Sequence, residues 1–137
     1  MNLRPAIVIS ELDATRLDAL IQVLPVNAFP GKAELEEELG RADMMASKDM
    51  PPNVMTMNST ARFKVSSAKE GFCLTLVYPK DVDQTGSTIS ILAPVGSALL
   101  GLTQGDEIEW PRPAGGSMLV RLDEVVFQPE RAGKYHL

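Results

Sequence analysis

ISILAPVGSALLGLTQGD, Ile89 to Asp106, is the stretch whose reading decides the fold of this chain. It begins as a strand, with Ile89 and Ile91 alternating with Ser90 and followed by Leu92. Pro94 ends that strand, because proline has no N–H to give to a ladder. Val95 to Leu100 has the composition of one or two helical turns. Val95, Ala98, Leu99 and Leu102 fall at i, i+3, i+4 and i+7, so one face of the turn is apolar. Gly101 can close it in a left-handed conformation. Gly105-Asp106 is a turn dipeptide, and Ile108 and Trp110 then open a new alternating run. The module predicted is strand, short helix, tight turn, strand. Its one ionisable group, Asp106, is accounted for by the turn.

Working outward, the rest of the C-terminal part reads as strands separated by turns. Val54 to Met57 is a candidate strand, and Asn58-Ser59-Thr60 is a break. Ala61 to Val65 alternates around Phe63. Ser66 to Gly71 is a polar turn. Phe72 to Tyr78 is the clearest strand, with Phe72, Leu74, Leu76 and Tyr78 on one face and Cys73, Thr75 and Val77 on the other. Pro79 to Gly86 is a polar loop. Pro111 to Gly116 turns the chain into a long strand, Ser117 to Phe127. In that strand Met118, Val120, Leu122, Glu124 and Val126 keep their apolar character longest and are expected to face the core. About five antiparallel strands around one short helix make an α+β sheet domain.

The N-terminal part has a different character. Ala6 to Ile9 is a short apolar piece that suits an extended arm. Ser10 and Asp13 have capping-box spacing, so the Ser10 hydroxyl is expected to accept from the N–H of residue 13. The acids Glu11 and Asp13 suit the positive start of a helix. That helix runs to about Leu24 on a stripe of Leu17, Leu20, Ile21 and Leu24, and Pro25 stops it. A second helix spans Lys32 to Ala42, with Leu35, Leu39 and Ala42 on one face. The pair predicts a short antiparallel hairpin, about 15 to 20 Å long at 1.5 Å of rise per residue. SKDMPPN, Ser47 to Asn53, has two prolines and no periodicity and reads as a linker. The predicted organisation is therefore a helical hairpin over residues 1–46 and a sheet domain over residues 47–137.

Composition limits the function. With 137 residues the chain can bury a real core, and 45% hydrophobic with 23% charged residues marks it as globular. The net charge of −5 argues against sequence-independent nucleic-acid binding, which neutralises phosphates with Lys and Arg. The opening MNLRPAIVIS, followed by a charged helix, does not read as a signal peptide. No apolar run approaches the length of a membrane span. A cytoplasmic, monomeric protein with no membrane association is expected.

The candidates for chemistry are few. Cys73 is the only cysteine, which excludes an internal disulfide and a multi-cysteine metal site. Its place in a strong strand predicts a packed side chain, not a nucleophile. The only histidine, His136, sits at a chain end that frays. Asn58-Ser59-Thr60 matches the glycosylation sequon but reads better as a turn. Glu36-Glu37-Glu38 is expected to be a solvated helix face. Met44, Met45, Met50, Met55 and Met57 cluster around the linker, where they either line an adaptable contact surface or pack the linker on the sheet. No catalytic, cofactor-binding or metal-binding residue is predicted. The residues alone argue for a binding or regulatory module without naming its partner.

The pattern of Pro94, the Leu99-Leu100-Gly101 turn, Gly105-Asp106, Gly115-Gly116 and the strand to Phe127 resembles the C-terminal domain of the GreA and GreB transcript-cleavage factors. The whole chain is similar to the regulators of nucleoside diphosphate kinase, the Rnk family. That similarity lies in IVISELDATRLDAL (Ile7 to Leu20), MPPNVMTMNSTARF (Met50 to Phe63), LVYP (Leu76 to Pro79), APVGSALLGL (Ala93 to Leu102) and QPERAGKY (Gln128 to Tyr135). The resemblance implies a short coiled-coil hairpin joined to an FKBP-like domain. It also implies that the partner is bacterial RNA polymerase, bound beside its secondary channel, with any DNA association indirect and through polymerase. The family name implies regulation and not kinase activity.

In the cleavage factors, acidic residues at the hairpin tip help hold a catalytic metal. Here the interhelix turn VLPVNAFPG, Val23 to Gly31, has no Asp or Glu, whereas Mg²⁺ recruitment needs carboxylate oxygens. The nearest acids, Glu34 and Glu36, lie beyond it. Stimulation of transcript cleavage is therefore not expected. By analogy with the Gre globular domain, Pro94, Ser97, Gly101, Gln104 and Asp106 are the candidate polymerase contacts, the alternative being a merely solvated surface. A second class of function is an enzyme, either a prolyl isomerase or a nucleotide-handling protein. An isomerase would need an apolar pocket walled by some of Trp110, Phe63, Phe72, Phe127, Tyr78 and Tyr135, and fold alone does not imply that activity.

Overall fold

Alternation of apolar and polar residues builds the central strand of the sheet, and one short helix packs toward one of its edges. The computed structural model describes residues 7–24, 32–66, 71–82, 85–111 and 116–133. In chain order the elements are β1 (Val8–Ser10), α1 (Glu11–Gln22), α2 (Lys32–Arg41), β2 (Asp43–Met45), β3 (Thr60–Val65), β4 (Phe72–Val77), β5 (Thr88–Ser90), α3 (Pro94–Leu99), β6 (Glu107–Pro111) and β7 (Ser117–Phe127). A five-stranded sheet has the order β5-β4-β3-β7-β6, and β1 and β2 form a separate pair.

The pairings of β3 with β4, β3 with β7 and β6 with β7 are antiparallel, as the alternation predicts. The expectation of an all-antiparallel sheet needs correction at one edge. β5 runs parallel to β4, with Thr75, Leu76 and Val77 opposite Thr88, Ile89 and Ser90. A parallel neighbour needs a crossover and not a hairpin, and the crossover here is the segment after β4 that begins with a 3-10 turn at Pro79–Asp81.

The predicted core face of β7 holds for its first half only. Met118, Val120 and Leu122 are buried, but then Val125 is buried while Glu124 and Val126 are exposed. The register against β3 shifts between Arg62 and Phe63 and again between Thr60 and Ala61. Each bulge puts one extra residue into β7 and so moves its side chains to the other face. Arg62, Lys64, Arg121, Asp123 and Glu124 lie on the solvent face in ion pairs such as Arg62–Glu124 at 3.0 Å. Cys73, expected to be packed, is exposed. It sits opposite Arg62, on the same face as those charged residues.

The core is shared by both parts of the chain. Ile7, Ile9, Ala14, Leu17, Ile21 and Leu35 join one apolar cluster with Phe63, Leu76, Leu99, Leu102 and Trp110. The N-terminal apolar piece is not a free arm. β1 pairs in parallel with β2, Val8 donates its N–H to the Gly101 carbonyl at 3.2 Å, and Ile7 and Ile9 are buried. Ser10 caps α1 as its spacing predicts, its Oγ accepting from the Asp13 N–H at 3.0 Å. Glu38 departs from the expected solvated face: it is buried and ion-paired with Arg41 one turn on. The turn residues 25–31, where the acid-free tip falls, lie outside the described residues, as does His136.

The predicted linker is ordered against the sheet. It forms a 3-10 turn at Ser47–Asp49, and Met50, Met55 and Met57 are buried while Met44 is exposed. Packing therefore accounts for three of the five clustered methionines. Val54 to Met57 makes only a bridge, Val54 to Thr103, and not a strand. Gln128 holds this segment by donating to the carbonyls of Pro51 and Val54, both at 2.8 Å.

Candidate functional site

Two places on the fold are candidates for function: the α3 turn region singled out by the sequence, and a seam where α1 meets the sheet. α3 begins at Pro94, whose fixed φ suits the first helical turn and whose missing N–H is no loss there. Gly101 has φ +81, and a Cβ on it would lie 2.8 Å from the Ile7 Cβ. It is therefore glycine both for its left-handed conformation and for the close approach of the N-terminal strand. Ser97 is buried and donates to the Ile91 carbonyl at 2.6 Å. Asp106 accepts from the Thr103 N–H at 3.2 Å, the turn role predicted for it. Gln104 is exposed, with Oε1 accepting from the Val125 N–H at 3.0 Å.

These five residues therefore separate into two sets. Ser97 and Gly101 are directed into the interior and offer no side chain to a partner. The reason is that four of the six residues of α3, Gly96 to Leu99, are buried, and that Gly101 lies against Ile7 of the N-terminal segment. Pro94, Gln104 and Asp106 remain at least partly accessible.

The seam holds a group whose sequence signal pointed only to a helix start. Asp13 is 1% exposed. Its Oδ2 accepts the Met57 N–H at 3.1 Å, across 44 residues of chain. Burial pushes its carboxyl up to about 7, the Met57 N–H and Ser10 work against that rise, Glu130 adds to it and Arg16 opposes it. Beside it, Thr56 donates to Glu130 Oε1 at 2.8 Å and shares a hydrogen bond of 2.6 Å with Ser59. Burial also pushes the Tyr78 hydroxyl up, with Asp13 adding to the effect. The one sequence signal was Asp13's place on the stripe of Leu17, Leu20, Ile21 and Leu24, at i, i+4, i+7, i+8 and i+11. Its value as a cap residue concealed that.

A cleft of about 990 Å³ opens next to this network, between α1 and the turn after β4. Leu20, Tyr78 and Pro79 give it apolar walls, Asn58 one end, and Arg16 and Lys80 a cationic rim offset by Asp81. Asn58 has φ +65, consistent with the predicted break, since asparagine tolerates this conformation. Such a surface suits binding. Among the described residues no three His, Cys, Asp or Glu side chains gather to hold a metal, and no helix is long and apolar enough to cross a membrane. Among the described residues the aromatic side chains do not wall one pocket either. Trp110 and Phe63 are in the core, Phe72 stacks on Phe63 at 5.5 Å, Tyr78 lines the cleft, and Tyr135 lies outside the described residues.

Comparison with known proteins identifies this arrangement. Residues 50–125 match the family described as "Transcription elongation factor, GreA/GreB, C-term", and residues 5–44 match the family described as "Rnk N-terminus". A solved structure of a prokaryotic transcription elongation factor GreA/GreB from Nitrosomonas europaea has a TM-score of 0.71 and 60% identity, covering 90% of this chain and 100% of that one. The class is thus a GreA/GreB-type C-terminal unit under a distinct N-terminal segment. The regulator of nucleoside diphosphate kinase of Escherichia coli is 42% identical over 134 residues, 98% of each chain, and the present chain belongs to that family. Transcription elongation factor GreA of Dehalococcoides mccartyi is 34% identical over 84 residues, which span 60% of this chain and about half, 53%, of that protein.

Proposed function

We propose that this protein is a non-enzymatic regulator that binds RNA polymerase near its secondary channel and modulates transcription without stimulating transcript cleavage. The observation that carries this reading is the joint match of a GreA/GreB C-terminal unit and an Rnk N-terminal segment in one chain. The N-terminal helices act as a short coiled-coil probe. α1 has 12 residues and α2 has 10, so they are about 18 and 15 Å long, too short to reach deep into a channel. The sheet unit, an FKBP-like domain over residues 47–137, is the docking body. Pro94, Gln104 and Asp106 are its contact residues, with Ser97 and Gly101 holding the turn that presents them. The protein is a cytoplasmic monomer and meets DNA only through polymerase. Regulation of nucleoside diphosphate kinase then follows from transcription and not from any kinase chemistry.

The isomerase alternative gains no support from the described aromatic residues, because Trp110 and Phe63 are in the core and Tyr78 alone of them lines the cleft. Two measurements test the proposal. Purified core RNA polymerase should retain the protein at micromolar concentration, and no retention overturns the reading. Stalled elongation complexes should show no cleavage above background; cleavage that is lost on Glu34→Gln or Glu36→Gln would overturn the second half of it.

A further inference from the structure

A third surface, apart from the α3 turn and the seam cleft, lies between α1 and α2. It is a groove of about 480 Å³. Its floor is apolar and small: Ala14 and Ile21 from α1, Leu39 and Gly40 from α2, with the half-exposed Met44 of β2 as one lip. Its rim is acidic. Glu11 and Asp18 stand on the α1 side and Glu36 on the α2 side. The cation near the rim is Lys32, 3.7 Å from Glu36.

Gly40 is the informative residue. It is helical, its φ is not positive, and a Cβ built on it meets nothing within 4 Å. No contact among the described residues calls for glycine there, and alanine would favour the helix more. The absence of a side chain keeps the groove floor low where it opens outward. That shape admits a third helix at close range, as small residues do at helix–helix contacts.

We propose that the α1–α2 groove is a docking surface for a basic amphipathic helical segment of a protein partner, with an apolar side chain seated over Gly40 and Met44 and its lysines or arginines against Glu11, Asp18 and Glu36. Charge complementarity selects this occupant: an acidic segment would be repelled by the three carboxylates, and an uncharged one would gain nothing from them beyond the contacts that Asp18 makes with Gln22 Nε2 at 2.9 Å and Glu36 with Lys32.

The test uses the full chain and a synthetic helical peptide of about 14 residues, with leucine at i, i+3, i+4 and i+7 and lysine elsewhere. Amide shifts on titration should move at Ala14, Gly40 and Met44. Gly40→Leu, which has room to fold, should weaken binding about ten-fold by filling the floor. Neutralising the rim (Glu11→Gln, Asp18→Asn, Glu36→Gln) should weaken it similarly and remove its salt dependence. A peptide with glutamate in place of lysine should not bind. The proposal is overturned if the basic peptide does not bind, if the shifts map elsewhere, or if Gly40→Leu binds it as well as the natural chain does.

Discussion

Replacing Asp13 with asparagine should stabilise the protein at neutral and alkaline pH and change little in acid. In the folded chain burial holds this carboxyl at about 7, against 3.8 for an ordinary aspartate. Below pH 3.8 it is neutral whether the chain is folded or not, and its burial carries no ionisation cost. As pH rises through 3.8 the unfolded chain releases the proton and the folded chain keeps it. Stability then falls by about 1.4 kcal/mol per pH unit. The fall stops near pH 7, where the folded carboxyl ionises too, after a total loss of about 4 kcal/mol. Domains of this size have about 5 to 15 kcal/mol of stability in all, so the effect is large.

Asparagine retains an oxygen to accept the Met57 N–H and has no proton to lose. The stability gap between Asp13→Asn and the natural chain should open between about pH 4 and about pH 7 and stay constant above that. At its full size it corresponds to about 10 °C in Tm. Urea unfolding across that range, followed by fluorescence of the buried Trp110, measures it; groups that titrate alike in both chains cancel in the difference. Glu130 and Arg16 face the carboxyl from the tail and from α1, and their charges are present in both chains. A gap independent of pH, or an Asp13 carboxyl resonance that titrates near 4, would refute the reasoning.

Three further substitutions test the packing. Gly96→Ala puts a Cβ 2.1 Å from the Ser90 carbonyl oxygen, a backbone atom, and should cost about 3 kcal/mol or more in a thermal melt. Gly101→Ala meets Ile7 at 2.8 Å with φ at +81; it should destabilise by about 1 to 3 kcal/mol and speed hydrogen exchange at the Val8 amide, which donates to Gly101. Arg62→Ala removes the exposed ion pair with Glu124 and should change stability by less than about 1 kcal/mol in a urea titration, because surface pairs are screened.

Periodicity and punctuation made much of the fold legible. The stripe of α1, its Ser10 cap, the alternation of β3 and of the first half of β7, and the Pro94–Gly101–Gly105 turns all follow from local rules that act within about ten residues. The family resemblance was legible in the same stretches, because turns that demand particular residues leave a recognisable pattern. What escaped the sequence depended on partners far along the chain. Leu17 and Asp13 lie on the same helical stripe, yet one is an ordinary core residue and the other a buried carboxyl answering Met57. The bulge opposite Arg62 and Phe63 turned β7 over after Leu122, and bulges depend on the strand opposite. Cys73 is exposed beside the charged residues of β3 and β7 while Val77, on the same face of β4, is buried, a difference that no spacing in β4 records.

The same division holds for the candidate surfaces. That the Ile89–Asp106 module is strand, helix and tight turn is readable from its residues alone, because proline and glycine constrain the backbone wherever they stand. Only the tertiary structure decided which of its residues face outward, sending Ser97 and Gly101 inward and leaving Gln104 exposed. It also brought Glu11, Asp18 and Glu36 to the rim of one groove and Asp13 under Tyr78 and Glu130. Burial and proximity belong to the assembled molecule, since they are set by what packs above a residue and not by the residues beside it in the chain.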